Sequence, residues 1–220
     1  MLAPVPPLPP LPPLWCWPMG VVVLLSAKGG VGKTATTVGL FGAAEAAGVP
    51  VTGLDVDRQG DLLRWLGPER VTHLPLPTAK ALAAVLPDLG ASGRLVLVDV
   101  PPGLPEGLTP ILEAADLVVG VTGPGFGELA VLPVAERVVD YDVVIGCRFD
   151  LRRKLDRSAV EQLTKRYGAR WLGVIPARQE VAEASAWRRL LRPESDVHQA
   201  AVGLFAQLAK LNKKGVLWRK

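Results

Sequence analysis

The chain has 220 residues, 49% of them apolar, and a formal net charge of +4, enough for one well-buried domain and too little for two generous ones. Its cysteines, Cys16 and Cys147, and its histidines, His73 and His198, stand far apart in sequence; this excludes a disulfide framework, an iron–sulfur site and a histidine metal centre, and fits a reducing cytosol. Residues 1–140 carry net −5 and residues 141–220 net +9, so the C-terminal third suits a polyanion, either nucleic acid or an anionic membrane surface, unless it is only a solubilising face.

No charged side chain occurs between Leu2 and Ala27, a length that could span a membrane. Eight prolines between Pro4 and Pro18 argue against a span, because they would leave backbone carbonyls unpaired in lipid. Residues 1–18 are expected to be an extended, polyproline-like tail outside the fold, with Met19 a candidate natural start. The first strand is predicted at Val21–Leu25 and the first helix at Thr34–Ala47, stopping at Gly48 with Pro50 beyond. Between them lies Lys28-Gly29-Gly30-Val31-Gly32-Lys33-Thr34, followed by Ala35. Glycines there let backbone N–H groups close around phosphate oxygens. Lys33 can reach β- and γ-phosphates, and the Thr34 hydroxyl is placed to ligate Mg²⁺. The positive end of the helix adds to the same anion site.

A strand at Val51–Leu54 leads into Asp55-Val56-Asp57-Arg58-Gln59-Gly60 and a short helix at Asp61–Trp65. After a helix at Thr78–Leu86, the strand Leu95–Val98 leads into Asp99-Val100-Pro101-Pro102-Gly103. Acidic residues at strand ends lie where ligands bind in open α/β sheets, and an Asp there can hold a water on Mg²⁺. One such Asp is often only a turn former; two in this order after a phosphate loop point to a nucleotide site. A helix at Glu106–Ala115, a strand at Leu117–Val121 and a helix at Glu128–Val139 follow, the last kinked or begun by Pro133. Then come Val143–Gly146, Ser158–Tyr167, Leu172–Ile175, Glu180–Leu191 and Asp196–Leu211, as strand, helix, strand, helix and helix. Near-continuous apolar strands alternating with helices give a doubly wound, mostly parallel sheet in a three-layer α/β/α P-loop architecture. The folded domain is read as 19–211 and a basic tail as 212–220.

The loop also departs from the common pattern: Ala27 replaces the usual first glycine, and Lys28 precedes the two glycines. In this it resembles the deviant phosphate loop of the ParA/MinD superfamily of dimerising ATPases. The acidic segments resemble that family's two switches, with Arg58 where the family usually has Pro. Val121-Thr122-Gly123-Pro124, Gly146-Cys147-Arg148, and Val174-Ile175-Pro176-Ala177-Arg178 with Glu183-Ala184 continue the likeness over roughly 19–211. It is nearest to the small ParA-type partition ATPases without an N-terminal helix-turn-helix domain.

The resemblance implies ATP and Mg²⁺ as cofactors and an ATP-bound homodimer. It gives Lys28 the role of crossing to the partner's nucleotide. Asp57 would position the attacking water, with Asp55 and Gln59 second choices nearby, and Asp99 would support the metal. Arg148, Pro176 and Arg178 would lie near the base, with Cys147 replacing a frequent Asn. It further implies slow, partner-stimulated ATP hydrolysis, non-specific DNA binding, a ParB-like adaptor and a cytoplasmic, nucleoid-associated protein that segregates a plasmid or chromosome. For DNA, the candidates are Arg152, Arg153, Lys154, Arg157, Arg188, Arg189, Lys213 and Lys214.

Two other readings stay open. Residues 204–220 mix Leu204, Phe205, Leu208 and Leu211 with lysines and arginines, as a membrane-surface helix of a MinD-like protein would. An ordinary terminal helix with a frayed basic end reads the same. A metabolic P-loop ligase would need further catalytic acids or a nucleophile, and no such set is visible.

Overall fold

Apolar runs of five to seven residues, covered on both faces, become parallel strands. The structure, a computed structural model, describes residues 20–75, 84, 86, 88 and 93–213. Strand β1 (Val21–Leu25) is buried at every residue and leads through the glycine-rich loop into α1 (Lys33–Ala46). There follow β2 (Val51–Asp55), α2 (Asp61–Leu66), β3 (Val71–His73), β4 (Leu95–Asp99) and α3 (Thr109–Glu113). Then come β5 (Leu117–Thr122), α4 (Phe126–Leu129), α5 (Leu132–Ala135), β6 (Val143–Phe149), α6 (Lys154–Tyr167), β7 (Trp171–Pro176), α7 (Gln179–Ala186) and α8 (Asp196–Lys213).

Among the described residues, seven strands form one sheet in the order β3-β2-β4-β1-β5-β6-β7, and every pairing is parallel. The chain fills one side of β1 first and then crosses to the other, so its topological switch point lies beside β1, where such folds take ligands. Period-two alternation divides the core. Val22 and Leu24 face the layer that holds Phe41, Trp65 and Phe205, whereas Val21, Val23 and Leu25 face Ile111, Tyr141 and Tyr167. Pairing Leu24 with Asp99, and Asp99 with Asp55, brings two carboxylates to the sheet edge beside the loop that leaves β1.

Several boundaries differ from those predicted, each for a local reason. Helix α3 starts after Gly107, whose φ of +89° ends any helix begun at Glu106. The single helix expected at Glu128–Val139 is two short ones, with Pro133 in the first turn of α5; lacking an N–H, it starts a helix more readily than it continues one. Helix α6 begins at Lys154, ahead of the predicted Ser158. Helix α7 ends before Leu191, where Arg188 takes φ +51°. Strand β3 was not foreseen. The predicted Thr78–Leu86 helix lies mostly outside the described residues, although Leu86 is helical and buried. The proline-rich tail and residues 214–220 lie outside them as well.

Leu204, Phe205 and Leu208, which the sequence offered to a lipid surface, are instead buried in the core. Among the described residues no helix is long and apolar enough to cross a membrane. On the same helix, His198 is buried with its ring near Gly42 of α1, and its Nδ1 has no hydrogen-bond partner among the described residues. Burial holds this imidazole below its ordinary value of 6.5, although Glu180 and Glu194 pull the other way. The unfolded chain therefore binds the proton first, and the stability His198 supports is complete above that value and lost as pH falls below it. Urea unfolding at pH 7 and pH 5 should show a smaller loss on acidification in His198→Leu than in the wild type.

Candidate nucleotide site

Gly30 and Gly32 adopt φ of +77° and +98°, backbone that side chains with a Cβ rarely take. Gly32 is the N-cap of α1, and a Cβ there would lie 2.4 Å from Cys147 Sγ, so the position is closed to any other residue. The first helical bond runs from Thr36 N–H to the Gly32 carbonyl at 2.9 Å. The amides before it have no partner within the helix and are open to an anion. Above them is a cleft of about 320 Å³ lined by Ser26, Gly29, Gly30, Gly32, Lys33, Thr34, Ala35, Asp57, Gln59, Asp61 and Pro102.

The cleft floor is a charge cluster centred on Asp99. Lys33 Nζ is 2.6 Å from Asp99 Oδ1, and the Thr34 hydroxyl donates to Oδ2 at 2.7 Å. The Thr37 hydroxyl, one helical turn past Lys33, donates to Oδ1 at 3.2 Å. Side-chain exposures of 7% for Lys33 and 1% for Asp99 leave the pair dependent on each other. A triphosphate entering the cleft offers Lys33 a second anion. A hydroxyl beside a carboxylate is the oxygen set that magnesium takes together with phosphate. The residues therefore fit Mg²⁺, with most of its ligands left to phosphate and water.

Asp57 lines the cleft half-buried. Its Oδ1 accepts the Gln59 N–H at 3.0 Å, and its carbonyl bonds His73 Nε2 at 2.8 Å. Asp55 is fully buried and turned inward, accepting the N–H groups of Asp57 at 3.1 Å and Leu63 at 3.0 Å. Burial, with Asp99 adding to it, raises its carboxyl above the usual range against those two bonds. Asp55 thus shapes the turn that presents Asp57. Pro102 closes another wall, and the turn after it is tied to the loop by Gly103 N–H donating to the Ser26 carbonyl at 2.8 Å.

The structure gathers Gly29, Gly30, Gly32, Lys33, Thr34, Ala35, Asp57 and Asp99 at one place. Val31 points into the core at 2% exposure. Lys28 is exposed and does not line its own chain's cleft; its Nζ would sit 3.2 Å from a Cβ placed on Gly127. Arg148, predicted near the base, has φ +66° and lays its guanidinium on the Gly30 carbonyl and 3.5 Å from Glu128. Pro176 ends β7, and exposed Arg178 pairs with Asp196. Sequence reasoning missed Thr37, His73 and Glu128. Thr37 could have been found from its i+4 spacing to Lys33; His73 and Glu128 carry no local signal.

The DNA candidates fall on separate elements. Arg152 and Arg153 are exposed and share Asp150, at 2.8 Å and 3.6 Å, and that pairing with Arg152 holds the Asp150 carboxyl down to about 2. Arg157 donates to the carbonyls of Leu151 and Arg152. Lys154 opens α6 and is exposed. Arg189 stacks over Trp187, 5.3 Å from its ring centre. Arg188 lines a second cleft, of about 500 Å³, with Thr34, Asp61, Arg64, Trp65 and Ser185. Lys213 ends α8, and Lys214 lies outside the described residues.

The family model described as the CobQ/CobB/MinD/ParA nucleotide binding domain matches residues 22–191. The maintenance of carboxysome distribution protein A of Gloeobacter kilaueensis is 42% identical over 118 residues, 51% of this chain and 53% of that protein. Protein ParA of Rhizobium radiobacter is 34% identical over 105 residues, 46% of this chain and 47% of that protein. The chain thus spans about half the length of the curated relatives it matches. The fold is that of the septum site-determining protein MinD of Pyrococcus horikoshii, solved with Mg-ADP. The TM-score is 0.66 at 20% identity, over 90% of this chain and 98% of that one. The chain belongs to the CobQ/CobB/MinD/ParA nucleotide-binding domain family.

Proposed function

We propose that the chain is an ATP-dependent switch that pairs with a second copy of itself when Mg–ATP is bound, holds DNA non-specifically in that state and positions a cargo through an adaptor protein. The observation that carries this reading is the Lys33–Asp99–Thr34 cluster beneath the glycine loop. Hydrolysis on such a site is mostly positioning and charge neutralisation. Lys33 and the loop amides offset the charge of the triphosphate. Thr34 and Asp99 would hold magnesium, which would supply charge neutralisation to the phosphates. Asp57, presented by Asp55 and His73, orients the attacking water. Exposed Lys28 reaches the nucleotide of the partner copy and so makes pairing a condition of turnover. Pro176 and Arg178 are candidates for the nucleoside side.

Positioning as the purpose is supported by the names of the two curated relatives, a carboxysome distribution protein and a ParA. DNA as the track is supported by the exposed arginines and lysine at residues 152–154. A mobility-shift titration of random-sequence duplex with ATP, ADP or no nucleotide tests the reading. Binding should require ATP, fall about 10³-fold between 50 and 200 mM salt if roughly six phosphates are contacted, and weaken in Lys154→Glu. Binding that ignores nucleotide, or is flat with salt, would contradict it.

A further inference from the structure

Arg148 holds an unusual backbone for an unusual contact. It is one of two non-glycine residues with positive φ among the described residues, at +66°. It sits where the register of β6 against β7 shifts, between Cys147 and Phe149. Irregularities of this kind re-aim a side chain, and a strained conformation kept in place points to a use. Here the guanidinium turns back onto the phosphate loop. It bonds the Gly30 carbonyl, and its Nη1 is 3.5 Å from Glu128 Oε1. Glu128 is fixed in turn, its Oε2 accepting the Gly125 N–H at 3.0 Å. A Cβ on Gly32 would meet Arg148 Cδ at 3.5 Å and Cys147 Sγ at 2.4 Å. The end of β6 therefore supports the loop at two points, under Gly32 and on Gly30.

We infer that Arg148, braced by Glu128, is a positioning residue that sets the direction of the phosphate-loop amides. In a trans peptide the C=O and the following N–H point opposite ways. A guanidinium holding the Gly30 carbonyl thus turns the Val31 N–H to the other side, toward an incoming phosphate. The group acts on the polyphosphate through the loop and does not read the base. This rests on the nucleotide-site reading above.

Calorimetric titration with Mg–ATP and with magnesium plus inorganic tripolyphosphate, which has no nucleoside, tests the inference. Glycine accepts left-handed backbone without strain, so Arg148→Gly removes the guanidinium while relieving the backbone. It should melt no lower than the wild type yet bind both ligands about 10-fold more weakly, the scale of a lost charge-assisted bond. Arg148→Lys should recover part of that loss for both. Glu128→Gln should weaken both about 3-fold, as befits a partly exposed ion pair, and serves alone should Arg148→Gly not fold. Weaker ATP binding with tripolyphosphate unchanged would put the guanidinium on the base and overturn the inference. So would variants that bind both ligands as tightly as the wild type, or more tightly. A wild-type chain that binds neither ligand is a separate failure, that of the nucleotide site itself.

Discussion

Asp99→Ala should lower the unfolding free energy by about 3–5 kcal/mol, the usual cost of leaving one buried ion without its partner. Asp99 accepts from the Lys33 ammonium and from the Thr34 and Thr37 hydroxyls. Its strand, β4, is buried at all five residues between β1 and β2, so no other carboxylate can take its place without moving the core. Asp99→Asn keeps the shape and one acceptor oxygen and should lose less. Urea unfolding followed by circular dichroism reads the difference. A loss below about 1 kcal/mol, the value of an exposed pair, would mean that Lys33 finds another counterion.

Lys33→Ala should weaken Mg–ATP binding about 100-fold or more, the scale on which one preorganised charged donor to a phosphoryl-type oxyanion is felt. Asp99 keeps two hydroxyl donors in that variant, and the carboxylate is no longer offset by an ammonium. The cleft then presents net negative charge to a triphosphate. Lost binding and a cooperative melt together would assign Lys33 to the ligand. Unchanged affinity would move the anion site elsewhere.

The parts of the site that are contiguous in sequence were legible. Val21–Leu25 announces a buried strand, the glycines and Lys33-Thr34 announce the loop, and Asp57 and Asp99 announce themselves by following apolar runs. The remainder is tertiary. Arg148 bonds Gly30 across 118 positions, and nothing near either residue signals the other. His73 supports Asp57 from a three-residue edge strand too short to show a pattern. The charge of the C-terminal third also misleads. Arg166 and Arg170 sit on Glu136, Arg178 on Asp196, and Arg192 on Glu180, so the positive surface is smaller than the residue count suggests. Only placement in three dimensions separates a paired arginine from an exposed cation such as Lys154.

In the proposed switch a triphosphate joins two copies of this chain, each contributing Lys28 to the other. Light scattering with a saturating non-hydrolysable ATP analogue and Mg²⁺ tests it most directly. The wild type is expected to double its mass, and Lys28→Ala to bind the analogue yet stay single. A wild-type chain that takes up the analogue and remains a monomer would contradict it.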